Sequence, residues 1–203
     1  MQFLTILPFL SVLAGSATAF TFPQGQIDGN YRAYVDSNAT EVHVNLDTGA
    51  VYTIPAAQRA KPLLEAAAPV DKRQTDAGGG GDMPHNKWHC GCGFNLNHGD
   101  CDAAVADMEH QLGDGYPGAA IDEHMSYYSI RGSVVAFVCA YSVGFGYHGS
   151  DFANAAAGIT GRCGWYIAGT MTTAIEGGNV GYMRYSPGLD FCRNADTAQA
   201  THC

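Results

Sequence analysis

The chain has 203 residues, and its 19 acidic residues outnumber its 10 basic ones, which gives a formal net charge of −9 at pH 7. Most of this excess lies in residues 74–203, which hold thirteen acidic and five basic residues. A surface of this charge repels phosphate backbones and anionic headgroups, so we expect no nucleic-acid partner and no docking on anionic lipid.

The first 19 residues have the pattern of a secretory signal peptide. Their apolar run, residues 4–14, is eleven residues long, whereas a helix that spans a bilayer needs about 20. The run leads to Ala17-Thr18-Ala19, a small-x-small sequence of the kind that signal peptidase recognises. We therefore expect cleavage after Ala19 and a secreted, extracellular product without stable membrane insertion.

Residues 20–73 are interpreted as a propeptide. Loose alternation over residues 31–54, with turns at Asn38 and at residues 47–49, predicts a β-hairpin. Residues 56–68 predict a short helix. Asn38, in Asn38-Ala39-Thr40, is the candidate N-glycosylation site. The pattern leaves open whether this segment assists folding, covers the mature protein or is a bare spacer.

The propeptide ends at the dibasic pair Lys72-Arg73, and four glycines follow at residues 78–81. An exposed and flexible stretch is accessible to a protease. The pair resembles the sites that kexin-type proteases cut during fungal secretion. We expect cleavage after Arg73, which makes Gln74 the new N-terminus and residues 74–89 a glycine-rich flexible linker.

The distribution of cysteine separates the propeptide from a cysteine-rich domain. None of the seven cysteines precedes residue 90, so residues 90–203 are the predicted domain. Thiols pair in the oxidising compartments that exported proteins cross, and each bridge stabilises by about 2–4 kcal/mol. The disulfide candidates are Cys90, Cys92, Cys101, Cys139, Cys163, Cys192 and Cys203.

The spacing of these cysteines leaves several pairings open. One hypothesis is a Cys101–Cys139 bridge that joins the first helix to the sheet. Cys163 then pairs with Cys90 or Cys92, and the C-terminal cysteines supply a partner for the other. The seventh cysteine is left to pair between chains or to bind a small thiol.

Hydrophobic periodicity predicts two helices in this domain. The first covers residues 101–112, with Asp100 as its N-cap and Gly113 as its stop. The second covers residues 151–160, with Ser150 as its N-cap and Gly161 as its stop.

Strands are predicted on either side of both helices. A short strand at residues 94–96 precedes the first helix, and a hairpin of residues 126–130 and 133–141 turns at Arg131-Gly132. Residues 165–175 and 180–185 follow the second helix. The order β-α-β-β-α-β, with one extra strand, predicts an α+β domain with a ferredoxin-like split βαβ fold, in which two helices cover one face of an antiparallel sheet.

Two patterns have the residue types of cofactor or metal sites. His85, His89 and His98 lie close to Cys90 and Cys92, but their spacing fits no common zinc pattern, and the cysteines are expected to pair. Residues 144–149 match G-x-G-x-x-G, but no acidic residue ends the strand that follows, as a dinucleotide site requires. We therefore expect neither a metal nor a cofactor.

The sequence gives weak support to an enzyme. It contains none of H-E-x-x-H, G-x-S-x-G or a P-loop. The alternatives are a secreted hydrolase that uses His124 or His148 with nearby acids, and a metal- or cell-wall-binding structural protein. The domain has many aromatic residues, and we expect most of them in the core or on the sheet and a few in a surface that binds glycan or protein. They are Tyr127, Tyr128, Tyr141, Tyr147, Trp165, Tyr166, Tyr182 and Tyr185.

The layout as a whole resembles a known group of proteins. The features are Asp100-Cys101 at the start of a helix, residues 135–139 in a strand, Cys163-Gly164 after a second helix and residues 181–185 in a last strand. With the signal peptide and the Lys-Arg site, they make the chain similar to fungal small secreted cysteine-rich proteins. Within these, it most resembles the killer-toxin-like and necrosis-inducing effector groups.

The resemblance covers roughly residues 90–192 and implies action outside the cell on a competing microbe or a host. Some killer toxins act on cation channels through basic residues, whereas Lys87 is the one lysine of the predicted mature part. A channel-blocking mechanism is therefore not expected. The resemblance supplies no catalytic residue. Beyond signal peptidase and a kexin-type protease, the expected partner is an unidentified extracellular or cell-surface target.

Overall fold

A computed structural model describes residues 20–59, 86–115, 118–141, 144–173, 178–195 and 197–203. The predicted signal peptide, the processing pair Lys72-Arg73, the glycine tract and His85 therefore lie outside the described residues. The strands are β1 Gly29–Val35, β2 Glu41–Asn45, β3 Val51–Ile54, β4 Lys87–Asn95, β5 Ala119–Ile121, β6 Met125–Arg131, β7 Val134–Ala140, β8 Phe145–Tyr147, β9 Ile167–Thr173 and β10 Gly178–Arg184. The helices are α1 His98–Leu112, α2 Gly149–Cys163 and α3 Phe191–Asn194, with a 3₁₀ turn at Ala56–Gln58.

The main sheet has eight strands in the order β3-β2-β1-β6-β7-β10-β9-β4, and every neighbouring pair is antiparallel. Strands β5 and β8 form a separate two-stranded sheet. The hairpin predicted at residues 31–54 is a three-stranded meander, β1 to β3. Its first strand continues the sheet that residues 87–184 form.

Side chains of the central strand β7 divide the core into two layers. Val134, Ala136 and Val138 point to the side covered by α1 and α2. Val135, Phe137 and Cys139 point to the other side, which is covered by α3 and the N-terminal segment. All seven residues of β7 are buried, because this strand is covered on both faces.

The ferredoxin-like prediction is wrong, because the sheet has eight strands rather than the few of a split βαβ unit. Three of the additional strands come from residues 29–54, which lie within the predicted propeptide. The strand predicted at residues 94–96 begins at Lys87 and forms the far edge of the sheet beside β9. Helices α1 and α2 pack against one face of this larger sheet.

Both long helices begin earlier than predicted. Asn97 is the N-cap of α1 and its side chain accepts from the backbone N–H of Asp100. The Asp100 carboxylate instead accepts from the backbone N–H and the hydroxyl of Ser133, both at 2.8 Å. Helix α2 begins at Gly149 after His148, whose side chain forms a capping box with Asp151.

Six cysteines form three disulfides, Cys90–Cys163, Cys92–Cys203 and Cys139–Cys192, which confirms that the protein is disulfide-bonded. The Cys101–Cys139 hypothesis is wrong. Cys101 packs on the helix side of the sheet and Cys139 on the opposite side, so the two sulfurs cannot meet. Cys101 is buried and has a free thiol.

Candidate functional site

A groove runs between α1 and α2 on the helix side of the protein, with a volume of about 540 Å³. Its walls come from one face of each helix, and its floor is Tyr182 of β10. The Tyr182 hydroxyl lies 2.9 Å from the hydroxyl of Thr160, so the floor is fixed to α2.

Small side chains create this groove. Helix α2 presents Ala153, Ala156, Ala157 and Gly161 to it, and α1 presents Val105 and Ala106. The two helices are held close at one end, where the backbone N–H of Gly149 donates to Gly113 at 2.8 Å. A Cβ built on Gly149 would lie 2.3 Å from the Glu109 carbonyl oxygen, so only glycine permits this approach.

The turn after α2 places an indole ring beside the groove. Cys163 ties the end of the helix to β4 through its bridge to Cys90. Gly164 and Tyr166 then adopt positive φ angles of 97° and 58°. The backbone N–H of Leu96 donates to the Tyr166 carbonyl at 2.8 Å, which holds the turn in place. Between them, Trp165 is 76 % exposed.

An exposed Trp held by a constrained turn is a typical binding residue, because its ring offers a large contact area at low entropic cost. The neighbouring Tyr166 ring is stacked on His98 with centroids 3.9 Å apart. Its centroid lies 6.0 Å from that of Trp165. The groove therefore has one aromatic rim.

The groove also carries two acidic side chains. Asp102 and Glu109 line it from α1, and neither forms an ion pair with a basic side chain of the described residues. The Tyr166 hydroxyl donates to Asp102 at 3.3 Å. Partial burial, followed by the charge of Asp102, raises the pKa of Tyr166, so its hydroxyl remains a donor at neutral pH.

The free thiol of Cys101 also borders the groove. Burial, with a further contribution from the charge of Asp102, raises the pKa of this thiol to about 11. Because the thiolate is the nucleophilic form, Cys101 is not activated for attack near neutral pH. The groove thus combines apolar walls, aromatic rings and carboxylates, which suit binding rather than covalent catalysis.

The histidines considered for catalysis have structural or solvent-facing positions. His148 Nδ1 lies 3.0 Å from Asp151 Oδ2 within the capping box of α2. His124 Nε2 lies 3.1 Å from Glu123 Oε1; the His124 side chain is half-buried and that of Glu123 is exposed. Neither of these two contacts includes a hydroxyl or thiol nucleophile.

Each described residue considered as a metal ligand has another partner. His89 Nδ1 lies 2.9 Å from the carbonyl oxygen of Ala198, and His98 stacks on Tyr166. Cys90 and Cys92 are both in disulfides. Within the described ranges, no three His, Cys, Asp or Glu side chains are grouped as metal ligands would be.

The remaining candidate residues concern maturation. Asn38 is exposed in the turn between β1 and β2. Glycosylation there stays a prediction, as does cleavage after Ala19 and Arg73. In the part of the chain that the structure describes, no helix has the length and apolarity needed to cross a membrane.

Sequence reasoning missed a buried polar network on the opposite side of the sheet. His43 lies with Nε2 2.7 Å from Glu41 Oε1 and Nδ1 2.6 Å from the Tyr128 hydroxyl. All three side chains are fully buried. The sequence gives one sign of this network: Glu41, His43 and Asn45 alternate along β2, so one face of that strand carries only polar side chains.

No family model matches the chain, and comparisons with curated proteins and with solved structures found no similar protein.

Proposed function

We propose that the chain is the precursor of a secreted cysteine-rich protein that acts outside the cell, on a host or a competing microbe, by binding a target in the groove between α1 and α2. The resemblance to killer-toxin-like and necrosis-inducing proteins motivates this role. The observation that carries the binding site is the indole of Trp165, exposed and rigidly held beside an apolar, acidic groove.

The chemistry of the groove favours a basic peptide segment as its ligand. Asp102 and Glu109 offer two carboxylates without an ion-pair partner among the described residues. Lysine or arginine can pair with them and also lie over the ring of Trp165 or Tyr166 in a cation–π contact. The alanine walls accept the alkyl stems of such side chains. A segment of a target protein that carries these residues fits all three features.

The binding test uses purified secreted protein and synthetic peptides that alternate lysine and leucine, with peptides that alternate glutamine and leucine as the neutral control. Because Trp88 also fluoresces, occupancy at Trp165 is reported by a change in tryptophan fluorescence that is lost in Trp165→Phe. We expect the basic peptides to bind and the neutral ones not to. Binding of cell-wall oligosaccharides in place of the basic peptides would contradict the ligand class.

The biological test applies the protein to competing fungi and to leaf tissue, together with general hydrolase substrates. Trp165→Ala is expected to abolish the response without lowering the unfolding midpoint. Phe94→Ala is the matched control, because Phe94 is also an exposed aromatic ring but lies outside the groove. Substrate turnover that disappears in His124→Ala or His148→Ala would instead establish the hydrolase alternative.

A further inference from the structure

The N-terminal segment, residues 20–59, is an integral part of the main sheet. Strand β1 pairs with β6 through six residue pairs, from Gly29 opposite Ile130 to Tyr34 opposite Met125. If β1 were absent, β6 would become an edge strand with unpaired N–H and C=O groups. This segment therefore completes the hydrogen bonding of the cysteine-rich part.

The same segment covers an aromatic layer on the face opposite the groove. Phe20 and Phe22 are each 1 % exposed. The Phe22 ring is stacked on Phe191 at 4.4 Å and meets Tyr185 and Tyr128 edge-on at 5.0 and 5.4 Å. Without Phe20 and Phe22, these rings would face water.

Backbone hydrogen bonds fix this cover in register. The N–H of Phe22 donates to the Leu189 carbonyl at 3.0 Å, and the N–H of Gly188 donates to the Phe22 carbonyl at 2.9 Å. The N–H of Phe191 donates to the Phe20 carbonyl at 3.1 Å. The first residues of the segment thus pair with the loop before α3.

The buried polar network crosses the same boundary. Glu41 and His43 belong to β2, whereas the Tyr128 hydroxyl that His43 contacts belongs to β6. The side-chain amide of Gln26 also donates to that hydroxyl. Removal of residues 20–59 would remove both His43 and Gln26 from the Tyr128 hydroxyl. The loss of hydrogen bonds to a buried group is destabilising.

No covalent bond would hold the segment after a cut at Lys72-Arg73. All three disulfides join cysteines within residues 90–203. We propose that residues 20–59 nevertheless remain bound after that cut, so that the secreted product is a two-chain protein. This inference rests on the maturation step of the proposed function. None of the residues that line the groove belongs to the segment, so the retained chain leaves the proposed binding site open.

The test uses the full chain with Lys72→Ala and Arg73→Ala and with a recognition site for a sequence-specific viral protease inserted between residues 73 and 74. After the cut in vitro, size-exclusion chromatography with mass detection at neutral pH reports whether the fragments separate. We expect them to elute together with the mass of the uncut chain and to separate in denaturant. If residues 74–203 elute alone, or precipitate and leave the short fragment in solution, the proposal is overturned.

A substitution locates the contact that holds the fragments. Phe22→Ala should raise the dissociation constant of the cut protein by about 100-fold or more, because truncation of a buried Phe costs several kcal/mol. Phe94→Ala, at an exposed Phe outside the contact, should leave it unchanged. Equal retention in Phe22→Ala and in the unsubstituted chain would contradict the assignment of this contact.

Natural maturation is measured separately. The intact masses of the product secreted by the organism that produces it should include a chain that begins at Gln74. If no such chain is found, the maturation step fails, while the viral-protease cut still decides whether the segment is retained. The two failures are therefore distinguishable.

Discussion

Cys101 is the one cysteine that the disulfides leave out, and its burial determines its reactivity. With a pKa of about 11, the thiol is almost entirely protonated near neutral pH, and its side chain is 5 % accessible as part of the buried core. We predict that a disulfide reagent such as Ellman's reagent reacts slowly with the native protein and titrates one thiol per chain in denaturant. A fast native reaction, or none after unfolding, would contradict this.

Asp190 gives a second prediction, on pH dependence. Burial, with a further contribution from the charge of Glu41, raises its pKa from 3.8 to about 6. The folded protein thus holds this proton more tightly than the unfolded chain does. The stabilisation is complete below about pH 4 and is lost as the pH rises through about 6.

Asp190→Asn removes this titration and retains an oxygen that can accept from the Arg193 N–H. We expect the unfolding free energy of the variant to fall less than that of the parent chain between those pH values. Denaturant unfolding at several pH values measures it. Asp122→Asn, on an exposed loop, is the control and should keep the parent slope; an unchanged slope in Asp190→Asn would contradict the prediction.

At the scale of elements, two glycines of α2 should respond in opposite ways to alanine. A Cβ on Gly149 would collide with the Glu109 carbonyl, whereas one on Gly161 has no atom within 4 Å. We predict that Gly149→Ala destabilises by about 1–3 kcal/mol, as overpacking does. Gly161→Ala should stabilise by about 0.5–1 kcal/mol, because alanine favours a helix. Thermal unfolding of both variants checks the pair, and destabilisation by both would contradict it.

The elements with strong local signals could be predicted from sequence. The apolar spacing of residues 101, 104, 105, 108 and 112 predicted α1. Four of these five residues are buried, and the fifth, Val105, is half-buried beside the groove. Arg131-Gly132 marked the hairpin of β6 and β7. Helix starts were less accurate, because Asp100 and Ser150 are good caps by composition. Asn97 and His148 are the N-caps instead, so α1 begins three residues earlier than predicted, which adds nearly one turn.

At the scale of the whole molecule, the order of strands could not be predicted, because it depends on contacts between distant residues. Nothing local to β1 shows that it pairs with β6, about a hundred residues later. The absence of cysteine before residue 90 suggested a separate unit, but backbone pairing and aromatic packing join it without sulfur. The groove was missed for the same reason, since Trp165 and Asp102 come together only when α1 and α2 pack side by side.

Because strand pairing and aromatic packing connect the two segments, we predict that residues 20–59 and 86–203 of the uncut chain unfold as one cooperative unit. Trp88, in β4, reports on the cysteine-rich part, because its ring lies under the Arg162 guanidinium at 4.7 Å and beside Gly158 of α2. Phe22 lies on the other face of the sheet. In a cooperative unit, truncation of Phe22 lowers the unfolding free energy that the Trp88 signal reports, although the two residues lie on opposite faces of the sheet.

We therefore expect Phe22→Ala to lower the unfolding free energy measured by tryptophan fluorescence by about 3–5 kcal/mol, the usual cost of truncating a buried Phe. Phe94→Ala should cost no more than about 1 kcal/mol, since its ring is exposed and contributes mainly a cation–π contact with Arg184. Circular dichroism, which includes the strands of residues 29–54, should give the same midpoint as fluorescence. The prediction is contradicted if circular dichroism shows two transitions and the midpoint followed by tryptophan fluorescence is unchanged in Phe22→Ala. That result would show that the two segments fold independently.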